Sequence, residues 1–368
     1  MNFISKKSEL LQGLQTVTSA VSSRNTLPIL ANILFETENN KLILSGTDLE
    51  LSIKCEIEAN IVNEGSITIP AKKLLEIVRE LPETDITIKL NDKNVIYLTC
   101  GKSLFKINGL PKKDFPILPE IKTEKEIILS QKNFNDMIKK TIFSVSSDET
   151  RYVLNGVLLS GEKDIIRMVS TDGHRLSFIE KKINNIYEEK LNNIIPAKAL
   201  NELVKILKDE GEISIQINNN QIIFLIDKVV LISRLIEGQF PNFGQVIPKE
   251  NDKSFTCYTE DIMAATKRVA LMASDKSNSV KYSISNNKLL ISSNTPEVGE
   301  AQEEMDINYS GENIIIAYNA KYVLNVLKNL GSKECLLELS SNLNPGVFKP
   351  KGIDEDTNYL CVVMPMRV

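Results

Sequence analysis

The residues with the most reactive chemistry stand together in Ser170-Thr171-Asp172-Gly173-His174-Arg175, and His174 is the only histidine of the chain. A serine, an aspartate and a histidine could supply the nucleophile, orienter and general base of an acyl-transfer site. The spacing argues against it. A nucleophile elbow requires Gly-x-Ser-x-Gly, which the chain lacks, and a histidine beside a turn glycine is more simply a packed or hydrogen-bonded residue. Gly101-Lys102-Ser103 suggests a phosphate loop, but Ile96 stands where its first glycine belongs. No His-Glu-x-x-His, calcium loop or paired metal-ligand spacing occurs. We therefore expect no catalytic residue, no metal and no cofactor.

What remains is the chemistry of contact. The end of the chain, Tyr359-Leu360-Cys361-Val362-Val363-Met364-Pro365-Met366-Arg367-Val368, is apolar almost to its last residue. Chain ends are usually polar and frayed, so this one is expected to dock. It could be a final sheet strand; its two methionines could equally form an adaptable surface for varied peptides. The other contact chemistry is lysine on helices, which suits phosphate without base reading. Few aromatics accompany these lysines, which disfavours stacking on single strands.

The elements that position these groups come in threes. Ile69-Pro70-Ala71-Lys72-Lys73-Leu74-Leu75-Glu76-Ile77-Val78 returns as Ile195-Pro196-Ala197-Lys198-Ala199-Leu200-Asn201-Glu202-Leu203-Val204, and more weakly from Tyr318-Asn319-Ala320-Lys321 to Leu327. Ala71, Ala197 and Ala320 are 126 and 123 residues apart. At nearly the same offset, Thr26 to Leu34 resembles Thr150 to Leu158, and Ser45-Gly46-Thr47-Asp48 resembles Val169-Ser170-Thr171-Asp172. Leu10, Leu14, Val17 and Val21 keep the spacing of an amphipathic helix, as do Phe134, Ile138, Thr141 and Val145, and Ile262, Thr266, Val269 and Ala273. Alternating runs such as Asp85-Ile86-Thr87-Ile88-Lys89-Leu90 suit half-buried antiparallel strands. Turn signals at Asn39-Asn40, Asn91-Asp92 and Asn218-Asn219-Asn220 separate them. The class is α+β: three repeats, each with two helices packed on antiparallel sheet. We set the domains at 1–119, 120–247 and 248–368, with breaks near the prolines of Leu118-Pro119-Glu120 and Ile247-Pro248-Lys249.

Composition fits a globular chain of several domains: 368 residues, 42% apolar and 25% charged. Five scattered cysteines, never closer than 26 residues, leave no CxxC motif and fit a reducing cytosol. The first residues lack a secretory pattern. The net charge of −4 looks wrong for a DNA-binding protein, but it is unevenly spread. Helices expected at 6–20, 72–80, 131–146, 197–208, 259–273 and 319–330 carry +8, leaving −12 elsewhere. A basic lining inside an acidic body would divide this way.

Six blocks now point to one family: Arg24-Asn25-Thr26-Leu27-Pro28-Ile29-Leu30, Arg151-Tyr152-Val153-Leu154-Asn155-Gly156, Thr171-Asp172-Gly173-His174-Arg175-Leu176, Phe240-Pro241-Asn242-Phe243, Tyr309-Ser310-Gly311 and Val363-Met364-Pro365-Met366-Arg367. In that order and spacing, over essentially the whole chain, the sequence resembles the β subunit of bacterial DNA polymerase III, the sliding-clamp family. The resemblance implies a DNA clamp fold and a head-to-tail dimeric ring around duplex DNA. Such a ring is a non-catalytic processivity factor, and its retention comes from topology and not from tight contact. It implies partners in the replicative polymerase, the clamp loader and other proteins bearing a clamp-binding motif, and a cytoplasmic location. It also implies a peptide pocket between the second and third domains. That pocket would comprise Leu154, Thr171, Gly173, His174, Arg175, Leu176, Pro241, Val246, Asn319, Tyr322, Val362, Val363, Met364, Pro365, Met366 and Arg367. The chain departs from the pattern at Gln245, where many members have arginine. Arg24, Lys72, Lys73, Lys139, Lys198 and Lys321 are expected towards DNA. Lys102 and Phe105 are expected to meet Leu271 and Met272 of a second subunit, ringed by Glu297, Glu300 and Glu303. Two rival readings are a protein-interaction scaffold that never encircles DNA and a hydrolase built on Asp172 and His174.

Overall fold

The computed structural model describes residues 1–22, 27–38, 41–118, 126–218, 220–296, 298–352 and 354–367, with backbone only for 184–190. Among the described residues six α-helices form: α1 (Lys7–Thr18), α2 (Ala71–Glu80), α3 (Gln131–Ile142), α4 (Ala197–Ile206), α5 (Thr259–Val269) and α6 (Ala320–Asn329). In α2 the buried residues are Ala71, Leu74, Leu75 and Val78, one face of the helix. Proline precedes the helix in the first two copies of that motif; in the third, Asn319 takes its place and its side chain caps the helix by accepting from the Lys321 amide at 3.0 Å. Five helices are shorter than expected, α1, α3 and α5 by three residues or more and α4 and α6 by two. α1 and α3 close with i→i+3 bonds, Ala20 to Val17 and Ser144 to Thr141, and the Thr18 and Thr141 hydroxyls turn back onto the carbonyls of Leu14 and Met137. α5 passes into a 3-10 turn at Ala270–Met272. With the observed bounds the helices carry +6 and the remainder −10, so the division of charge survives in weaker form.

The chain forms two compact units, residues 1–132 with 198–235, and residues 133–197 with 236–368. These units share out the residues of the expected second domain, because its strands extend sheets begun by the other repeats. In the first unit, strands Asn60–Asn63, Asn2–Lys6, Asp85–Leu90, Val95–Cys100 and Ser103–Asn108 make one antiparallel sheet in that order. Ile86 and Ile88 are fully buried while Asp85 and Lys89 face out, as the alternation required. An eight-stranded sheet runs from Ile127–Ser130 through Glu212–Asn218, Gln221–Ile226, Val229–Arg234, Leu51–Ile57, Lys41–Thr47 and Asn32–Glu38 to Gly65–Pro70. α1 lies close on it: a Cβ on Gly46 would stand 2.5 Å from the Val17 carbonyl oxygen.

In the second unit a six-stranded sheet orders Gly156–Thr171, Arg175–Pro196, Thr357–Val363, Gly346–Pro350, Glu334–Leu339 and Lys253–Tyr258. A four-stranded sheet orders Gly299–Asp306, Lys288–Thr295, Ser279–Ser285 and Ile314–Asn319. The repeat is visible in the backbone. Isolated bridges join Thr68 to Leu110, Ile194 to Ile236 and Ala317 to Met366, and residues 68, 194 and 317 keep the spacings of 126 and 123.

Each unit contains a seam where strands of two different repeats pair antiparallel. The first joins Leu51–Ile57 to Val229–Arg234, with Ser52 opposite Ile232. The second joins Arg175–Pro196 to Thr357–Val363, with Leu176 opposite Val362. The turns leading into them match bond for bond. At the first, Leu49 N donates to Thr47 Oγ1 at 3.0 Å, Glu50 N and Leu51 N to Asp48 Oδ1 at 3.0 and 2.8 Å, and Arg234 N to Glu50 O at 2.9 Å. At the second, Gly173 N donates to Thr171 Oγ1 at 3.0 Å, His174 N and Arg175 N to Asp172 Oδ1 at 2.9 and 3.0 Å, and Met364 N to His174 O at 2.9 Å. Leu49 and Gly173 share the left-handed backbone, φ +80° and +87°.

Candidate functional site

The second seam opens into an apolar cavity of about 190 Å³, lined by Arg151, Leu154, Thr171, Gly173, Arg175, Leu176, Pro241, Phe243, Val246, Val362 and Met364. Its floor belongs to a buried cluster that includes Leu154, Leu158, Leu176, Phe178, Phe240 and Val362, with Phe243 packed against it. Nine residues expected at a peptide pocket are in this wall. Others lie beside it. The His174 ring stacks on Tyr322 at 5.9 Å between centroids, and burial, with Asp172 nearby, raises the Tyr322 pKa above its ordinary value. Met364 is bound at the rim through its amide, and Met366 N donates to Ala317 O at 2.8 Å. Pro365 is half-buried and Arg367 exposed. Two expected residues have other work. Val363 is fully buried on the face of its strand opposite Val362, and Asn319 caps α6 while its amide donates to Ser277 O at 3.3 Å. Arg151 and Phe243 line the cavity without having been expected there, although both lie within the motif blocks quoted above. Gln245 is exposed and outside the wall.

The polar groups at this site are arranged for holding and not for catalysis. Asp172 Oδ1 is taken by two backbone amides, and its Oδ2 accepts from Arg175 Nε at 3.0 Å. Ser170 is fully buried and donates to the Thr141 carbonyl. The serine, histidine and aspartate therefore form no relay. Arg175 is 9% exposed, with its guanidinium 5.6 Å from the Phe143 ring centroid and 4.8 Å from that of Tyr322. Arg151 Nη1 donates to Asp172 O at 2.9 Å. A larger cavity of about 420 Å³ in the first unit is lined by apolar, polar and charged side chains, several of the charged ones already paired, as in Lys205–Glu202 and Lys208–Asp227.

The helix lysines divide into two kinds. Lys72, Lys139 and Lys321 are exposed and make no ion pair among the described residues. Lys73 pairs with Glu76 at 2.8 Å, and Lys198 pairs with Asp48 of the first seam's turn. Arg24 lies outside the described residues. The described residues expected at a subunit joint fall on two sheet edges and two turns. Lys102 is exposed and Phe105 half-buried, at the turn and strand Ser103–Asn108 that end the five-stranded sheet. Leu271 is 77% exposed, with Met272 half-buried beside it in the 3-10 turn. Glu300 is exposed on the edge strand Gly299–Asp306. Glu303, on the same strand, accepts from Arg268 Nε at 2.9 Å, which holds its carboxyl below its ordinary pKa. Glu297 lies outside the described residues.

Family models for the N-terminal, central and C-terminal domains of the DNA polymerase III beta subunit match residues 1–119, 128–242 and 244–367. A beta sliding clamp of Chlamydia pneumoniae is 34% identical, with 100% of this chain and 99% of the relative covered. A crystal structure of the DNA polymerase III subunit beta from Pseudomonas aeruginosa superposes with a TM-score of 0.95 at 31% identity over 100% of both chains. A second structure from that organism, of a sliding clamp bound to griselimycin, has the same score, identity and coverage.

The chain belongs to the DNA polymerase III beta subunit family. It is a sliding clamp of three clamp domains that serves DNA replication as a processivity factor, and it is not an enzyme. Membership of the clamp family explains why Asp172 and His174 sit together without a nucleophile: their turn is scaffold for the cavity. Among the described residues no group of carboxylate, cysteine and histidine side chains could hold a metal ion, and no helix is long and apolar enough to cross a membrane.

Proposed function

We propose that two copies of this chain close head to tail into a ring around duplex DNA, and that the cavity at the second seam receives a short apolar segment of each protein the clamp carries. The observation that carries the ring is the pair of seams. Each joins a strand leaving the Thr-Asp turn to the last strand of another repeat's sheet. One strand of each kind is left at an edge: Gly299–Asp306 in the second unit and Ser103–Asn108 in the first. An unpaired edge is a template for another strand. Transferring the register of the first seam, where Ser52 faces Ile232 and Ile53 faces Leu231, puts Gly299 opposite Lys106 and Glu300 opposite Phe105 of a second copy. Lys102 and Lys106 on one edge complement Glu300 and Glu304 on the other. Leu271 and Met272 then add the apolar contact that an isologous pair of joints needs at its core.

Arg24, Lys72, Lys73, Lys139, Lys198 and Lys321 would face the DNA, touching phosphates weakly enough to slide. Lys73 and Lys198 must leave Glu76 and Asp48 to do so, and are the weaker contacts. The pocket's partners would be the replicative polymerase, the clamp loader and other proteins with an apolar linear motif; the griselimycin-bound relative supports a ligand site on this fold. Five buried free thiols suit the reducing cytoplasm.

The deciding experiment is retention on DNA after loading by a clamp loader. The clamp should persist on circles and leave linear DNA from its ends; equal loss from both would favour a scaffold that never encircles DNA. Changing Leu271→Ala with Met272→Glu should give monomers by light scattering, and a persisting dimer would refute the proposed joint.

A further inference from the structure

In the second unit, two lysines and a tyrosine fill the space between α3 and the end of α6. Lys181 reaches α3 from the strand Arg175–Pro196, its ammonium 3.3 Å from Asp136 Oδ2 and 3.4 Å from Asn133 Oδ1. Lys140 meets the same carboxylate at 3.2 Å and lies 5.2 Å from the centroid of the Tyr359 ring. The Tyr359 hydroxyl is 3.2 and 3.3 Å from the carbonyl oxygens of Lys140 and Asn329, at the ends of the two helices. A Cβ on Gly331, just beyond α6, would stand 3.7 Å from Lys140 Cε, so the lysine stem reaches that helix end.

The first unit keeps the frame and lacks the filling. In the α1 and α3 repeat, Glu9, Gln12 and Thr16 stand where the second unit has Asn133, Asp136 and Lys140. The seam registers put Ile57 in the place of Lys181, and Val229, opposite Cys55, in the place of Tyr359, opposite Ile179. All five of these first-unit residues line the cavity of about 420 Å³, with Ile206 and Ile226. The oxygens that hold an ammonium in the second unit thus persist: a carboxylate and a carboxamide three residues apart, in reversed order. Glu9 is half-buried and makes no ion pair among the described residues. The lysines of the wall are engaged, Lys205 with Glu202, Lys208 with Asp227 and Lys228 with Glu58. Burial, then the charges of Glu56 and Glu9, push the Cys55 thiol in this wall up to about 11. Anionic oxygen beside an apolar wall suits a cation carried on an aliphatic stem.

We infer that this first-unit cavity binds a linear alkylammonium. Its stem lies on Ile57, Ile206 and Val229, and its ammonium donates to Glu9 and Gln12 as Lys181 does to Asp136 and Asn133. A free aliphatic diamine and the lysine side chain of a partner protein share that chemistry.

The test is methyl NMR on the full-length protein at fixed ionic strength, with putrescine and the diol of the same length. Putrescine should shift the methyls of Ile57, Ile206, Ile226 and Val229 saturably and leave Ile138 and Ile179 of the filled second unit unmoved; the diol should shift none. E9Q removes the charge but keeps an oxygen, and should weaken putrescine binding about tenfold, the scale of a hydrogen bond to a charged group. T16K gives the first unit an ammonium of its own, as Lys140 does the second, and should weaken binding at least as much. Should either variant fail to fold, the other decides. Nα-acetyl-lysine methylamide separates the sources: tighter binding than putrescine assigns the site to a partner's lysine, and weaker binding to a free diamine. Equal shifts by putrescine and the diol overturn the inference, as do undiminished binding in E9Q and binding of neither amine.

Discussion

At the first seam Leu49 stands on the left-handed turn that Gly173 occupies at the second. Leu51 and Ser52 take the places of Arg175 and Leu176, while Ile29, Leu30, Leu34, Phe115 and Leu118 repeat the apolar floor of Val153, Leu154, Leu158, Phe240 and Phe243. Backbone, turn bonds and floor are thus duplicated. The mouth is not. A repeat copies a frame cheaply, because the frame is set by backbone hydrogen bonds and by a few apolar positions. On the proposed function, whether the frame becomes a binding site depends on the side chains at its opening, where Gly173, Arg175 and Leu176 stand for Leu49, Leu51 and Ser52.

That comparison can be broken by exchanging the residues. Leu176 is 1% exposed in the cluster under the pocket. Converting it to the first seam's residue, Leu176→Ser, should cost about 3–5 kcal/mol of stability by the cavity and the buried hydroxyl it creates, seen as an early thermal transition. Gly173→Leu reproduces Leu49. A Cβ there would stand 2.6 Å from Arg151 Nη2, so that guanidinium must shift, and the leucine side chain would project at the mouth that Gly173 lines. Affinity for the apolar peptide proposed to fill the cavity, measured by calorimetry, should fall on the order of a hundredfold, the scale on which apolar pockets discriminate shape; unchanged binding would mean the glycine is not what keeps the mouth open.

Both seams also carry a cysteine whose thiol burial pushes up to about 11 from an ordinary 9.0, Cys55 at the first and Cys361 at the second. A raised folded-state value adds stability below pH 9 that is lost as pH rises, because unfolded thiols ionise first. Each seam should lose up to about 2–3 kcal/mol between pH 9 and 11. Cys55→Ala and Cys361→Ala should each flatten that alkaline decline in urea titrations. Smaller still, Leu49→Gly should stabilise the first unit by about 1 kcal/mol, since glycine accepts the left-handed backbone without strain and the leucine is 47% exposed. Lys198→Ala breaks the exposed pair with Asp48 and should change stability by less than about 1 kcal/mol; a larger loss would show that this pair holds the turn of the first seam.

Much of this was legible along the chain, for a local reason. Helical spacing, strand alternation and turn residues are short-range patterns, so the six helices and the triplication could be read from Ala71, Ala197 and Ala320 and their surroundings. The motif blocks likewise contained all of the cavity wall except Val246 and Val362. What only the tertiary structure decided was pairing. A period-two run says that a strand has two faces, and a one-residue shift exchanges them; so Val362 lines the cavity while Val363 does not. The apolar chain end could not say which strand it would join, and its partner, Arg175–Pro196, lies far away in sequence. Asn319 was legible as a repeat position but not as a helix cap, Lys198 as a basic residue but not as the partner of Asp48, and Asp172 as a carboxylate beside histidine but not as the holder of Arg175. The Lys198 pair depends on packing that joins residues 150 apart, while the Asn319 cap and the Asp172–Arg175 pair are local contacts that depend on backbone dihedrals; residue type alone carries no record of either.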